Sequence, residues 1–218
     1  MSFVVDLFFS IRSPYSYLAL VKTRKMVNVY DVVVRCRPVY PIAVRIPNFF
    51  KTANPNFAKY VYFDSERVAR HDGIQFRLPR PDPIVQDMTT LEVAAEQPYI
   101  HRLVRLGAAA QIEGRSLEFA EAIAAVLWDG STDGWNEGDH LVRAASRAGF
   151  DLGKLDAAIA AEPRRYEDII ASNEKDLAAS GHWGVPTFAF EGEPFFGQDR
   201  IDHLIKRLQD RGMTRRPT

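Results

Sequence analysis

Leu7-Phe8-Phe9-Ser10-Ile11-Arg12-Ser13-Pro14-Tyr15-Ser16-Tyr17-Leu18-Ala19-Leu20 carries an apolar strand through a tight turn into a helix, with a serine at the junction. Upstream, Phe3 to Phe9 is rich in Phe and Val and reads as a buried strand. Ser13 stands just before a proline at the first helical position, where it caps the helix and where free backbone N–H groups stabilise a bound anion. Leu18, Val21 and Val29 fall near one helical stripe and Lys22, Thr23 and Asn28 on the wet side, so the helix is expected from Pro14 to about Val29. Asp31 to Val39, with its valines and Cys36, favours a second strand. Strand, helix and strand in that order imply a parallel pair.

The 218 residues are 46% hydrophobic, enough for one large domain or two intimate ones. Twenty-eight basic residues balance twenty-eight acidic ones, which argues against nucleic acid or an acidic membrane surface as the main partner. The single cysteine excludes an intrachain disulfide, and its β-branched surroundings make it buried and structural. No apolar run reaches the ~18–20 residues of a membrane span, and Asp6 and Arg12 interrupt what a signal peptide would keep apolar, so the cytoplasm is expected.

Farther along, Pro41, Pro47 and Pro55 punctuate a loop, Asp64 to His71 reads as a short helix, and Arg77 to Pro83 as extended, proline-broken chain. From Thr89 to about Ala179 the sequence is Ala-rich and helical, with stops at Gly107, Gly114, Gly130, Gly149 and Pro163 that imply five or six helices. Arg115 to Trp128 is apolar over so wide an arc that it must be nearly all core. Val185 to Phe190 is a strand, Glu191-Gly192-Glu193 a hairpin turn, Pro194-Phe195-Phe196 the return, and a helix follows from about Asp199 to Gln209.

β-α-β, a helical block and β-β-α is how a thioredoxin fold with a large all-helical insertion reads. The resemblance implies a thioredoxin-like domain over residues 1–40 and 180–212, a connecting loop plus helical insertion domain over 41–179, and a frayed tail over 213–218. Redox members of that superfamily carry Cys-x-x-Cys at the first helix; here the turn is Ser13-Pro14-Tyr15-Ser16, which supplies neither a nucleophilic nor a resolving thiol. The proline of Gly184-Val185-Pro186-Thr187 matches the cis-proline that faces this turn in the fold, the alternative being a trans-proline opening an edge strand.

Phe8 to Ala19, Asp64-Ser65-Glu66-Arg67-Val68-Ala69 with Gly73-Ile74, Gly181 to Phe188 and Gly197-Gln198-Asp199-Arg200 together make the chain similar to the 2-hydroxychromene-2-carboxylate isomerase family, bacterial relatives of kappa-class glutathione transferases. That resemblance implies a glutathione site and a homodimer. Ser13 would donate its hydroxyl to the glutathione sulfur and favour thiolate. Val185, preceding Pro186, would pair through its backbone with the cysteinyl part. Gln198, Asp199 and Arg200 would take the γ-glutamyl end. Tyr15, Asn54 and Lys59 are the candidates on the side of a small aromatic carboxylate substrate, although Asn54 and Lys59 align only with a shift. The family's asparagine near residue 88 has no counterpart in Pro83 to Met88. Phe49, Phe50, Phe57, Tyr60 and Tyr62 would wall an aromatic pocket or serve as core or dimer contact.

The resemblance points to a glutathione-dependent isomerase. A kappa-like transferase that keeps the adduct, and a non-catalytic thiol- or peptide-binding module with Ser13 only a helix cap and Asp199 only a first-turn acid, are the alternatives. The five histidines show no metal-ligand spacing, so no metal site is expected.

Overall fold

The computed structural model describes residues 3–87, 89, 90 and 92–217. Strand β1 (Phe3–Phe9) runs into α1 (Pro14–Val29) and returns as β2 (Val32–Pro38), with the helix bounds expected from the cap and the apolar stripe. Three helices follow: α2 (Ile42–Arg45), α3 (Phe49–Thr52) and α4 (Asn56–Asp72). The helical block comprises α5 (Ile100–Ile112), α6 (Ser116–Trp128), α7 (His140–Arg147), α8 (Leu152–Ala161) and α9 (Pro163–Ala179). The hairpin β3 (Thr187–Phe190) and β4 (Glu193–Phe196) leads into α10 (Ile201–Asp210).

The sheet order is β2-β1-β3-β4, with β1 parallel to β2 and antiparallel to β3, which pairs antiparallel with β4. This is the thioredoxin arrangement with a helical insertion. Across it, Cys36, Leu7, Phe188 and Phe195 fall in one register row, and all four are buried. Each side chain so buried stabilises the fold by about 1.5–3 kcal/mol. Tyr17 of α1 stacks against Phe76 and Trp128 with ring centroids 6.4 and 6.3 Å away, which seats the helix between the proline-broken loop and α6. Burial pushes the Cys36 thiol well above its ordinary range, in keeping with a structural cysteine.

Five sequence expectations change. Thr23, expected on the wet side of α1, is buried, with its hydroxyl donating to Ala19 O at 2.7 Å. The helix expected at Asp64 to His71 begins at Asn56, because the aromatic run Phe57 to Phe63 is helical. The helical block begins at Ile100; the described residues between Thr89 and Tyr99 form turns and a bridge. Gly107 does not stop a helix but lies inside α5, where an added Cβ would come 3.3 Å from the Pro38 ring, so glycine lets the helix approach the end of β2. The tail expected to fray is docked as far as Arg216: Met213 is buried, Asp31 N–H donates to Thr214 O (3.1 Å), and Arg216 N–H donates to Val29 O (2.8 Å). Arg216 Nε adds bonds to the carbonyls of Val27 and Tyr30 at 2.8 and 2.9 Å.

Candidate functional site

β1 ends at Phe9, and Ser10 to Ser13 form a turn closed by Ser13 N–H to Ser10 O (2.9 Å). The turn is anchored from inside by Trp128, whose Nε1–H donates to Ile11 O (2.9 Å), and from outside by Arg12, whose Nε and Nη2 donate to the two Asp82 oxygens (2.9 and 2.8 Å). Ser13 is the N-cap of α1: Oγ accepts the N–H of Ser16 at 3.2 Å, which leaves its own O–H free to donate. Ser16, at the other position of the pair, has another job. It is 1% exposed, and its Oγ accepts the Ser10 N–H at 3.2 Å. The two serines thus differ, one facing outward and half-buried, one spent inside the turn. Ser10 Oγ is buried with no hydrogen-bond partner among the described residues.

The antiparallel register places Phe8 opposite Thr187, so one residue onward each chain brings the end of β1 beside Pro186. The Val185–Pro186 peptide is cis, as expected from its position. Its loop is held by Gly197 N–H to Pro186 O (2.9 Å), Thr187 Oγ1 to Gly184 O (2.7 Å) and Gly184 N–H to His182 Nδ1 (2.8 Å). Val185 is half-buried against Phe8, Val39 and Leu177. The turn and this loop therefore occupy one end of the sheet.

Aromatic rings surround the loop. His182 stacks on Phe196 with centroids 3.9 Å apart and on Trp183 at 5.7 Å; Trp183, 55% exposed, stands 6.4 Å from Phe49, which meets Phe57 and Phe50 at 5.7 and 5.3 Å. Phe49, Phe50 and Phe57 of the expected aromatic group thus meet one another and the His182-Trp183 segment, while Tyr60 is exposed and Tyr62 packs against Phe63. Arg45, which the sequence reading missed, ties the chain after β2 to the Trp183 segment: Nε donates to Tyr40 O (2.7 Å) and Nη1 to Trp183 O (3.3 Å), while Nη2 is buried without a partner among the described residues. Burial lowers its pKa. A basic residue ending a four-residue helix was the only local signal, and its partner at Trp183 is remote in sequence.

Tyr15, one turn into the site from Ser13, donates to Asp64 Oδ2 at 2.8 Å. Burial first and this bond second push its phenol far above the ordinary range, with the charges of Asp64 and Asp199 and the Tyr60 phenol adding to the effect. Asp199 is thus near enough to Tyr15 for its charge to be felt there. Gly197 (φ +111°) precedes it in a conformation in which a Cβ would collide with the Asp199 carboxylate. Asp199 pairs with Arg200, and both are exposed ahead of α10. Gln198 is 7% exposed and its Oε1 accepts from Lys22, which also pairs with Asp72 at 2.7 Å. Its carbonyl oxygen thus ties α10's approach to α1.

Asn54 and Lys59 are exposed, and neither is bonded to the Ser13 turn or the Val185 loop among the described residues. Asn54 Oδ1 accepts the Asn56 N–H (2.9 Å) and shapes the start of α4. No group of three or more His, Cys, Asp or Glu residues that could hold a metal ion occurs among the described residues. No described helix is long and apolar enough to cross a membrane. A cleft of about 490 Å³ lies at the other end of α1, lined by Arg24, Val33, Leu117 and Arg216, away from these groups.

Among solved structures, the chain is similar to 2-hydroxychromene-2-carboxylate isomerase (18% identity, TM-score 0.70, 95% of each chain covered). It is also similar to a probable DsbA oxidoreductase from Streptomyces coelicolor (19%, TM-score 0.65, 95% of this chain and 89% of that one). A third is the cytosolic disulfide reductase DsbM from Pseudomonas aeruginosa with GSH (15%, TM-score 0.55, 94% and 99%). At these identities the likeness shows the fold. No curated protein matches significantly. The model of the DSBA-like thioredoxin domain matches residues 4–209, and with a thioredoxin sheet, a capped turn and a facing cis-proline already in place, the chain belongs to the DsbA-like thioredoxin family.

Proposed function

We propose that the protein is a glutathione-dependent isomerase of a small aromatic carboxylate of the 2-hydroxychromene-2-carboxylate type. The observation that carries the reading is the turn: Ser13 offers an outward hydroxyl at the positive end of α1, Ser16 is spent inside, and the chain's only cysteine is buried on β2. Such a turn suits a sulfur brought by a ligand and has none for dithiol exchange. The solved relatives named for the isomerase and for a reductase with GSH support the choice of substrate and of glutathione.

In this reading the Val185 backbone holds the cysteinyl part of glutathione beside β1's end, and Asp199 meets its ammonium group. Arg45 fixes the Trp183 carbonyl and with it the loop. The Ser13 O–H and the helix end stabilise the thiolate. The chromene hemiketal first opens, its ring C–O bond breaking as the hydroxyl proton passes to the phenol oxygen, and the thiolate then adds to the alkene carbon β to the ketone so released. The double-bond electron pair moves to the carbonyl oxygen as an enolate, and the carbon–carbon bond becomes single and rotates. Collapse of the enolate re-forms the double bond and expels the thiolate, so glutathione returns unchanged and no redox equivalent is consumed. Phe49, Phe57 and Trp183 would stack the aromatic part of the substrate.

The test is turnover of 2-hydroxychromene-2-carboxylate with and without glutathione. Activity should require glutathione, leave it unmodified, and fall about 100-fold or more in Ser13→Ala, the scale of losing one donor to a reacting anion. Turnover that ignores glutathione or survives Ser13→Ala would refute the reading. A stable glutathione adduct would instead make the protein a transferase.

A further inference from the structure

Arg12 is the corner residue of the turn that delivers the chain to Ser13. Its guanidinium makes a two-pronged bond to Asp82 (2.9 and 2.8 Å), reaches Gln86 Oε1 at 3.4 Å, and lies 5.9 Å over the Phe50 ring. One side chain thus joins the α1 turn to the proline-broken loop and to α3. With Trp128 holding Ile11 from the inside, Arg12 supplies the outer of two anchors on the turn.

We propose that Arg12 is a positioning residue that sets the potential at the sulfur held by Ser13, with Asp82 as its counter-charge. This rests on the glutathione reading above. A guanidinium one residue from the cap adds to the positive end of α1 and favours thiolate; the Asp82 carboxylate offsets it. The pair therefore trims the charge beside the nucleophile and also fixes its place. Other charged or titratable groups around the turn and the Val185 loop are Asp64 with Arg67 on α4, Asp199 with Arg200 ahead of α10, Arg45 and His182 on the loop, and the Tyr15 and Tyr60 phenols. None of these is bonded to Arg12 among the described residues.

A positioning role through charge makes the two partners act in opposite directions, whereas a merely structural pair makes them act alike. The experiment is a pH titration of the thiol of bound glutathione by its ultraviolet thiolate absorption, in the wild type, Arg12→Met, Asp82→Asn and Arg12→Lys, each with a calorimetric glutathione affinity and a thermal melt. Arg12→Met should raise the midpoint and Asp82→Asn lower it, each by roughly half a pH unit, the scale of one nearby unit charge screened by water. Arg12→Lys keeps the charge and should titrate with the wild type even where its melt matches Arg12→Met. Shifts of the same sign, no shift in a variant that binds glutathione, or Arg12→Lys behaving as Arg12→Met would overturn the proposal alone. A wild type that binds no glutathione would overturn the functional reading and this inference with it.

Discussion

Ser13 and Ser16 show how one residue type, three positions apart, serves two ends. Replacing Ser16 by alanine removes the acceptor of a buried N–H at Ser10, and an unsatisfied buried donor costs about 1–3 kcal/mol. Ser16→Ala is therefore expected to lower stability by that amount in urea denaturation and to reduce glutathione affinity through a looser turn. Ser13→Ala should cost less stability, about 1 kcal/mol for a lost cap, and far more activity. Trp128→Phe keeps the stack with Tyr17 but orphans the Ile11 carbonyl, and should destabilise by about 1–3 kcal/mol while slowing turnover. The serine at the cap was legible in the sequence because a cap works within one turn of helix. The inward role of Ser16 was not, since both serines sit at positions that the fold's redox members give to cysteine.

At the scale of elements, α1 is tied to α4 and to the approach of α10 by Lys22, which forms an ion pair with Asp72 and donates to Gln198 Oε1. Burial pushes the Asp72 carboxyl up, but the bonds from Lys22 and His71 outweigh it and hold the group below the ordinary carboxylate range. A carboxylate with a depressed folded pKa binds fewer protons folded than unfolded, so its stabilisation is present above its unfolded value, about 3.9, and is lost as pH falls through the folded value. Wild type and Asp72→Asn should therefore differ in denaturation midpoint at pH 7, begin to converge below about pH 4 and meet only below the depressed folded value. The helix bounds of α1 were legible because Ser13 and Pro14 start it and apolar residues recur as far as Val29; which residues face inward was less so, since Thr23 is buried and Val21 and Val29 only half-buried. The length of α4 was not, since an aromatic run looks alike whether it lines a pocket or turns as a helix.

For the whole molecule, ligand binding and folding are linked. If glutathione binds the folded chain, a concentration of about 100 times Kd should stabilise it by about 2.7 kcal/mol and raise Tm by several degrees, a shift that thermal melts with and without glutathione would read. The sequence by itself determined the β-α-β opening, the cap at Ser13, the loss of both thiols from the turn, and the closing β-β-α, because these are written in periodicity, turn chemistry and residue identity over short spans. Tertiary structure alone decided that Arg12 meets Asp82, Arg45 meets Trp183 and Lys22 meets Gln198, pairs separated by 70, 138 and 176 residues. It also decided that the tail docks beside Tyr30 and that Asn54 shapes a helix start. A local pattern specifies which face of an element is buried. Which distant side chain meets it depends on how the whole chain crosses itself, and no window of sequence contains that information.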